Sequence, residues 1–191
     1  MTEKNHYKTL EDLATGMQGC KRCPLHEGRT NIVFGSGDKN ANVMIVGEAP
    51  GKNEDETGEP FVGKAGRNLN ELLQIAGLAR SDVYIANVIK CRPPANRDPK
   101  AEEVNNCSEF LRAQTAIIKP KVIITLGNFA TKFILKTEVG ITKLHGKPVQ
   151  LGNITVFTSY HPAACIYDPA KREAINADFA ALKKLLAAVI K

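Results

Sequence analysis

Four of the five cysteines in this chain have the residue type and spacing of metal ligands. Cys20 and Cys23 form a Cys-x-x-Cys pair followed by proline, and Cys91 and Cys107 lie far downstream. Two pairs of thiolates brought together by folding can close around a tetrahedral zinc ion or an iron–sulfur cluster. The cysteine spacing does not distinguish a zinc ion from an iron–sulfur cluster. The alternative to a metal site is a set of unrelated buried thiols. Cys165 has no neighbour at ligand spacing, which favours a small buried hydrophobe.

Two acid–base residues lie in stiff loops. Glu48 belongs to the sequence Gly-Glu-Ala-Pro-Gly, in which two glycines and a proline favour a tight turn. A carboxylate held in such a turn can orient a water molecule. His161 precedes a proline that restricts where the imidazole points, and such a histidine can donate a hydrogen bond to charge on a leaving group. The alternatives are an ordinary turn glutamate and a polar loop histidine.

An aromatic residue and an amide complete the candidate contacts to a ligand. Phe61 lies between proline and glycine residues rather than in a helical period, so it either stacks on a planar ring or anchors the core. Asn87 interrupts an apolar stretch, where a buried amide needs hydrogen-bond partners. Its carbonyl and NH₂ groups can pair with the amide edge of a pyrimidine or with a neighbouring loop.

The elements that position these residues follow from hydrophobic pattern. Four short apolar runs rich in β-branched residues predict strands over residues 42–46, 83–89, 121–126 and 154–158. Helical spacing predicts helices over 65–76, ending at Gly77, over 128–135 and over 173–190. Another helix is expected to run toward Ile118 from Asp98 as its cap, with Pro99 as its first residue.

Strands that alternate with helices predict an α/β fold, a three-layer sandwich with a central four-stranded parallel sheet flanked by helices. In open sheets of this kind, ligands bind beyond the carboxyl ends of the strands. Glu48 and His161 fall just after predicted strand ends, and Asn87 lies near the end of the second predicted strand. We therefore expect them to share one site.

Composition limits the class of protein. The chain has 191 residues, of which 43% are hydrophobic and 24% charged, as in one ordinary globular domain spanning residues 1–191. No apolar run is long enough to span a bilayer, and the polar N-terminus lacks the apolar core of a signal peptide. We expect a cytoplasmic protein, where clustered cysteines favour metal binding. The net charge of +6 weakly favours an anionic partner such as nucleic acid.

In combination these motifs resemble the family 4 uracil-DNA glycosylases, the iron–sulfur branch of the uracil-DNA glycosylase superfamily. The resemblance covers nearly the whole chain from Cys20 onward. It is carried by Cys20-x-x-Cys23, Gly47-Glu48-Ala49-Pro50-Gly51, Pro60-Phe61-Val62-Gly63, Asn87 shortly before Cys91, Cys107 and His161-Pro162-Ala163. The polar Glu48 is typical of family 4 rather than of the related family 5.

The resemblance implies a monofunctional enzyme of base excision repair that releases uracil from DNA and leaves an abasic site. It implies a structural 4Fe–4S cluster on Cys20, Cys23, Cys91 and Cys107, which joins the N-terminal segment to the region after the second strand. It also implies the substrate contacts: backbone groups of Gly47 to Ala49 lining the pocket, Glu48 positioning water, Phe61 stacking on uracil, Asn87 reading its amide edge and His161 contacting O2.

The expected partner is uracil-containing DNA, with the protein acting as a monomer at the nucleoid and no membrane involved. A sliding clamp is a further possible partner, but no secure interaction motif supports it. Two other classes compete with this interpretation. A non-catalytic nucleic-acid-binding module with structural zinc would release no uracil. An electron-transfer protein would hold a redox-active cluster, although its cysteines usually form a more compact run than those of this chain.

Overall fold

The computed structural model describes residues 7–190. Within this range the chain forms one six-stranded sheet and eight α-helices. The strands are β1 (Ser36–Gly37), β2 (Val43–Gly47), β3 (Val83–Asn87), β4 (Val122–Leu126), β5 (Pro148–Leu151) and β6 (Ile154–Ser159). The helices are α1 (Leu10–Met17), α2 (Lys52–Thr57), α3 (Lys64–Ile75), α4 (Ala101–Ile118), α5 (Gly127–Leu135), α6 (Ile141–Leu144), α7 (Ala164–Tyr167) and α8 (Pro169–Val189).

The sheet has the strand order β1-β3-β2-β4-β6-β5. Its four central strands are parallel, as the sequence predicts, with Ile45 of β2 paired to Ile85 of β3 and to Ile124 of β4. The predicted class is therefore confirmed, but the strand count of four is too low. The short strands β1 and β5 add an antiparallel edge on each side. Strand β1 has only two residues, and β5 is mostly exposed, so neither gives an apolar run in the sequence.

Alternate residues of the central strands enter two separate cores, which gives the three layers. Met44 and Val46 of β2 face a cluster that includes residues of α1, α4 and α5. Val43 and Ile45 of the same strand face the other cluster, which is covered by α3 and α8. Because both faces are covered, the central strands are apolar throughout, which is why they are easy to recognise in the sequence.

The structure corrects the predicted starts of two helices and adds four helices. Helix α4 begins at Ala101 with Lys100 as its N-cap, not with Asp98 as its cap and Pro99 as its first residue. Buried Glu103 explains the shift, because its carboxylate accepts a hydrogen bond from the Lys100 backbone N–H at 2.7 Å and ion-pairs with Arg97. Helix α8 begins at Pro169 with Asp168 as its N-cap, not at residue 173. Helices α1, α2, α6 and α7 were not predicted, and α2 lies inside the loop that follows β2.

No helix within residues 7–190 combines the length and apolar character needed to cross a membrane.

Candidate functional site

The carboxyl ends of the central strands open into a pocket of about 440 Å³. Glu48 directly follows β2, Asn87 ends β3, and His161 lies two residues beyond β6. Phe61 reaches the same pocket from the loop between α2 and α3. The structure therefore brings the four predicted side chains together. The pocket is lined by Glu48, Ala49, Pro50, Gly51, Glu54, Phe61, Ala65, Asn87, Pro93, Asn96, Arg97, His161 and Ala163.

Gly47 does not line the pocket but supports two residues that do. A Cβ atom at this position would lie 2.4 Å from Asn87 Oδ1 and 2.7 Å from the Phe61 ring. Its carbonyl accepts a hydrogen bond from Val88 N–H at 2.9 Å, which extends the β2–β3 pairing past the strand end. Only a residue without a side chain permits this approach.

Asn87 is buried, and its side-chain oxygen has no hydrogen-bond partner among the described residues. A buried carbonyl without a donor is costly and uncommon in folded proteins. The alternative raised by the sequence, a structural hydrogen bond from a neighbouring loop to this oxygen, is therefore not formed. The oxygen is available to accept from a ligand in the pocket.

Phe61 is held in a strained backbone conformation. Its φ of 54° lies in the left-handed region, which a bulky residue rarely adopts and which costs about 1–3 kcal/mol. The guanidinium of Arg80 compensates by donating to the carbonyl oxygens of Phe61 at 3.2 Å and Pro60 at 2.5 Å. Gly66 lets helix α3 pass close by, because a Cβ there would lie 1.8 Å from the Phe61 carbonyl oxygen. The phenyl ring is buried and stacks against His161, with centroids 5.7 Å apart.

Glu54 joins the two loops on that side of the pocket. One carboxylate oxygen accepts from Gly51 N–H at 3.1 Å, and the other accepts from Val62 N–H at 3.0 Å and Gly63 N–H at 3.1 Å. Charge-assisted hydrogen bonds of this kind are among the stronger ones in proteins. The sequence did not predict a role for Glu54 or Arg80. Glu54 lies in an acidic run that is typical of a solvated surface, and Arg80 belongs to no motif.

His161 is the pocket residue whose protonation is most strongly affected by burial, which lowers its pKa to about 4. The imidazole is therefore neutral near pH 7. Its Nδ1 accepts a hydrogen bond from Ala163 N–H at 3.2 Å, so the ring proton resides on Nε2. Asn68 of α3 fixes the same loop by donating from Nδ2 to the Pro162 carbonyl at 3.1 Å. The geometry gives a neutral imidazole with one N–H donor.

Glu48 is partly buried, and burial together with the negative charge of Asp98 raises its pKa. Ile89 N–H donates to its backbone carbonyl at 3.2 Å, so the residue is anchored through the main chain. A carboxylate with a raised pKa is a better proton acceptor than an ordinary surface glutamate.

A polar cluster behind the His161 loop was not predicted. Asp178 of α8 is buried, accepts from Ser159 Oγ at 2.8 Å and lies 2.9 Å from Nδ1 of His145. Burial raises the pKa of Asp178, opposed by these two partners. The ring of His145 also packs on Tyr160 at 4.5 Å, which makes His145 a support of this loop rather than a pocket residue.

The four predicted metal ligands line a single cavity, which Met17 of α1 and Phe110 of α4 also line. Cys20 and Cys23 are partly exposed, whereas Cys91 and Cys107 are buried. Arg29 Nη1 donates to Cys91 Sγ at 3.4 Å, and Lys90 N–H donates to Cys107 Sγ at 3.2 Å. Among residues 7–190, no group of three or more His, Cys, Asp or Glu residues is arranged to hold a metal ion. Cys165 lies elsewhere, in the core between α3 and α8.

The family model of the uracil DNA glycosylase superfamily matches residues 34–186. A type-4 uracil-DNA glycosylase of Archaeoglobus fulgidus is 44% identical over 186 residues, covering 93% of this chain and 94% of the relative. That of Sulfurisphaera tokodaii is 45% identical, covering 93% of this chain and 84% of the relative. That of Thermotoga maritima is 47% identical over 156 residues, 81% of each chain.

Proposed function

This chain belongs to the uracil DNA glycosylase superfamily, and we propose that it hydrolyses the N-glycosidic bond of deoxyuridine in DNA. The reaction releases uracil and leaves an abasic site, the first step of base excision repair. A base inside a duplex cannot reach such a pocket, so the nucleotide is flipped out at a cost of a few kcal/mol. Stacking on Phe61 returns about 1–3 kcal/mol of that cost.

The observation that carries the proposal is the unpartnered oxygen of Asn87 beside Phe61 and His161 in one pocket. This oxygen would accept from N3–H of uracil while the NH₂ group donates to O4. Cytosine has an acceptor at N3 and a donor at N4, so it would leave both groups of the buried amide unpaired. Mismatched buried polar groups are the source of strong discrimination between substrates.

Bond cleavage places negative charge on the departing pyrimidine and positive charge on the sugar. We assign to Nε2–H of His161 a hydrogen bond to the pyrimidine O2, where one donor to a developing oxyanion contributes about 3–4 kcal/mol. Glu48 would orient the attacking water, accept its proton and oppose the charge on the sugar. No covalent enzyme intermediate is required, so the enzyme would be monofunctional.

We further propose that Cys20, Cys23, Cys91 and Cys107 hold a 4Fe–4S cluster. The four cysteines line one cavity, and two of their sulfurs already accept hydrogen bonds, as the ligand sulfurs of iron–sulfur clusters do. The choice of a cluster over zinc rests on the resemblance to family 4, since relatives that are 44–47% identical to this chain are type-4 uracil-DNA glycosylases. When bound, the cluster would join the segment between α1 and β1, which contains Cys20 and Cys23, to the loop after β3 and to α4. It would take no part in the reaction.

The other expectations remain proposals. We propose that residues 1–191 form one domain, although residues 1–6 and 191 lie outside the part that the structure describes. Action as a monomer on uracil-containing DNA in the cytoplasm is likewise a prediction.

The test is uracil release from duplexes that carry a single U·G or U·A pair, with a C·G duplex as the negative control. The protein with its iron content preserved should release free uracil, and strand breaks should follow only after alkali. An Asn40→Ala variant, altered at an exposed asparagine, should behave like the original chain. Folded protein that binds DNA but releases no uracil would overturn the activity, and nicks without alkali would overturn the monofunctional mechanism.

A further inference from the structure

A second cavity, of about 860 Å³, lies at the opposite end of the sheet from the pocket. It is bounded by the last turns of α4 and α5 and by the β5–β6 hairpin, where Lys121 precedes β4 and Ile154 begins β6. It shares no lining residue with the pocket that contains Asn87. We refer to this cavity as the distal groove.

The floor of the distal groove is apolar. Leu111 and Ile123 are buried at its base, while Phe133 and Ile134 of α5 are partly exposed within it. Leu151 of β5 is 48% exposed at its edge, the largest exposed fraction among the large hydrophobic residues that the structure describes. An exposed apolar patch with a polar rim is typical of a protein–protein interaction site.

All of the charged residues that line the distal groove are cations. Its charged lining residues are Arg112, Lys119, Lys121, Lys132 and Lys136, with no carboxylate among the described residues that line it. Lys132 pairs with Glu138 at 3.0 Å, but the other four form no ion pair with any described residue.

Two of the rim lysines occupy unusual backbone positions. Lys119 and Lys136 cap α4 and α5 with left-handed φ angles of 54° and 50°. Glycine is the usual residue at such a position. Lysine side chains at these two helix ends add positive charge to the rim.

We propose that the distal groove binds an acidic protein segment that carries apolar side chains. Carboxylates of the segment would pair with the free rim cations, and its leucine or aromatic side chains would cover Leu151, Phe133 and Ile134. Nucleic acid fits this surface less well, because its phosphates would meet the cations but leave the aliphatic floor uncovered. The site lies away from the uracil pocket, so a partner would bind without blocking substrate.

Fluorescence anisotropy with labelled twelve-residue peptides tests the proposal. The probe alternates Asp or Glu with Leu or Phe, one control replaces the apolar residues by Ser, and another replaces the acidic residues by Lys. The acidic apolar peptide should bind about tenfold or more tightly than either control, and added salt should weaken it. Affinity no greater than that of the Ser control would overturn the proposal.

Substitutions at exposed positions test whether the peptide binds in the distal groove. Leu151→Ser and Lys136→Glu should each lower the affinity for the acidic apolar peptide by about tenfold. Val139→Ser and Lys184→Glu, at exposed positions outside the groove, should not. All four variants should keep the rate of uracil release. Binding that is unchanged by Leu151→Ser, or a twelve-nucleotide oligo-dT that displaces the peptide and loses affinity with Lys136→Glu, would show that the groove is not a peptide site.

Discussion

Gly47 approaches the side chain of Asn87 so closely that a Cβ atom at Gly47 would lie 2.4 Å from Asn87 Oδ1. The same atom would lie 2.7 Å from the Phe61 ring. The two side chains proposed to hold the base are therefore both positioned by one residue that has no side chain. This link explains why a glycine that does not line the pocket is still needed for it.

Gly47→Ala should impair the site without unfolding the protein. Displacing Asn87 or Phe61 costs about 1–3 kcal/mol, as overpacking does in cores, which corresponds to a loss of roughly 5- to 150-fold in kcat/KM. Gly28→Ala is the matched control, because a Cβ at Gly28 meets nothing within 4 Å. Uracil-release kinetics and thermal unfolding measure both effects. Similar behaviour of the two variants would contradict the positioning role of Gly47.

Asn87→Ala should separate base reading from DNA binding. Losing both hydrogen bonds to uracil should lower the single-turnover rate by about 100-fold or more, because N3–H and O4 of the base would then lack partners in the pocket. Affinity for duplex DNA should change by less than about threefold, because phosphate contacts dominate binding. Rates and anisotropy titrations, with Asn40→Ala as control, provide the comparison. Equal losses of rate and affinity would argue against a base-reading amide.

Glu54→Gln should weaken the connection between the two loops beside the pocket. Glutamine keeps one acceptor oxygen, so part of the bonding to Gly51, Val62 and Gly63 is lost. Hydrogen bonds to a charged group contribute about 1.5–3 kcal/mol, which predicts a fall of roughly 10- to 150-fold in kcat/KM. Glu56→Gln, altered at an exposed glutamate of the same helix, should be close to neutral. Unchanged kcat/KM in Glu54→Gln would contradict the proposed role of Glu54 in joining the two loops.

Cys107→Ser should remove the proposed cluster, whereas Cys165→Ser should not. Cys107 lines the four-cysteine cavity and accepts from Lys90 N–H, while Cys165 lies in the other core. We expect Cys107→Ser to lose iron, visible charge-transfer absorbance and thermal stability together. Iron analysis, absorbance and thermal unfolding of both variants test this. Full iron content in Cys107→Ser would exclude Cys107 as a ligand.

The sequence predicted the four parallel strands because covered faces make them apolar throughout, as in Val122–Leu126. It also predicted which side chains meet, because parallel strands end at one edge. It could not predict Glu54, Arg80 or Asp178, whose importance depends on backbone groups and neighbours distant in sequence. Edge strand β5, Pro148–Leu151, lacks an apolar run, and the start of α4 depends on the local bonds of Glu103.

The pH dependence of uracil release should report Glu48 rather than His161. The working form of Glu48 is the carboxylate, and burial with the nearby charge of Asp98 raises its pKa, so the rate should fall as pH drops through that raised value. His161 becomes protonated only near its pKa of about 4, below the raised pKa of Glu48, so the imidazole is still mostly neutral while Glu48 becomes protonated.

Two variants test this assignment. Asp98→Asn should shift the fall in rate to lower pH, because it removes the negative charge that raises the pKa of Glu48. Glu48→Gln should reduce the rate by about 100-fold or more and abolish the limb. Single-turnover rates across pH test this, and a limb that persists in Glu48→Gln would assign the titration to another group.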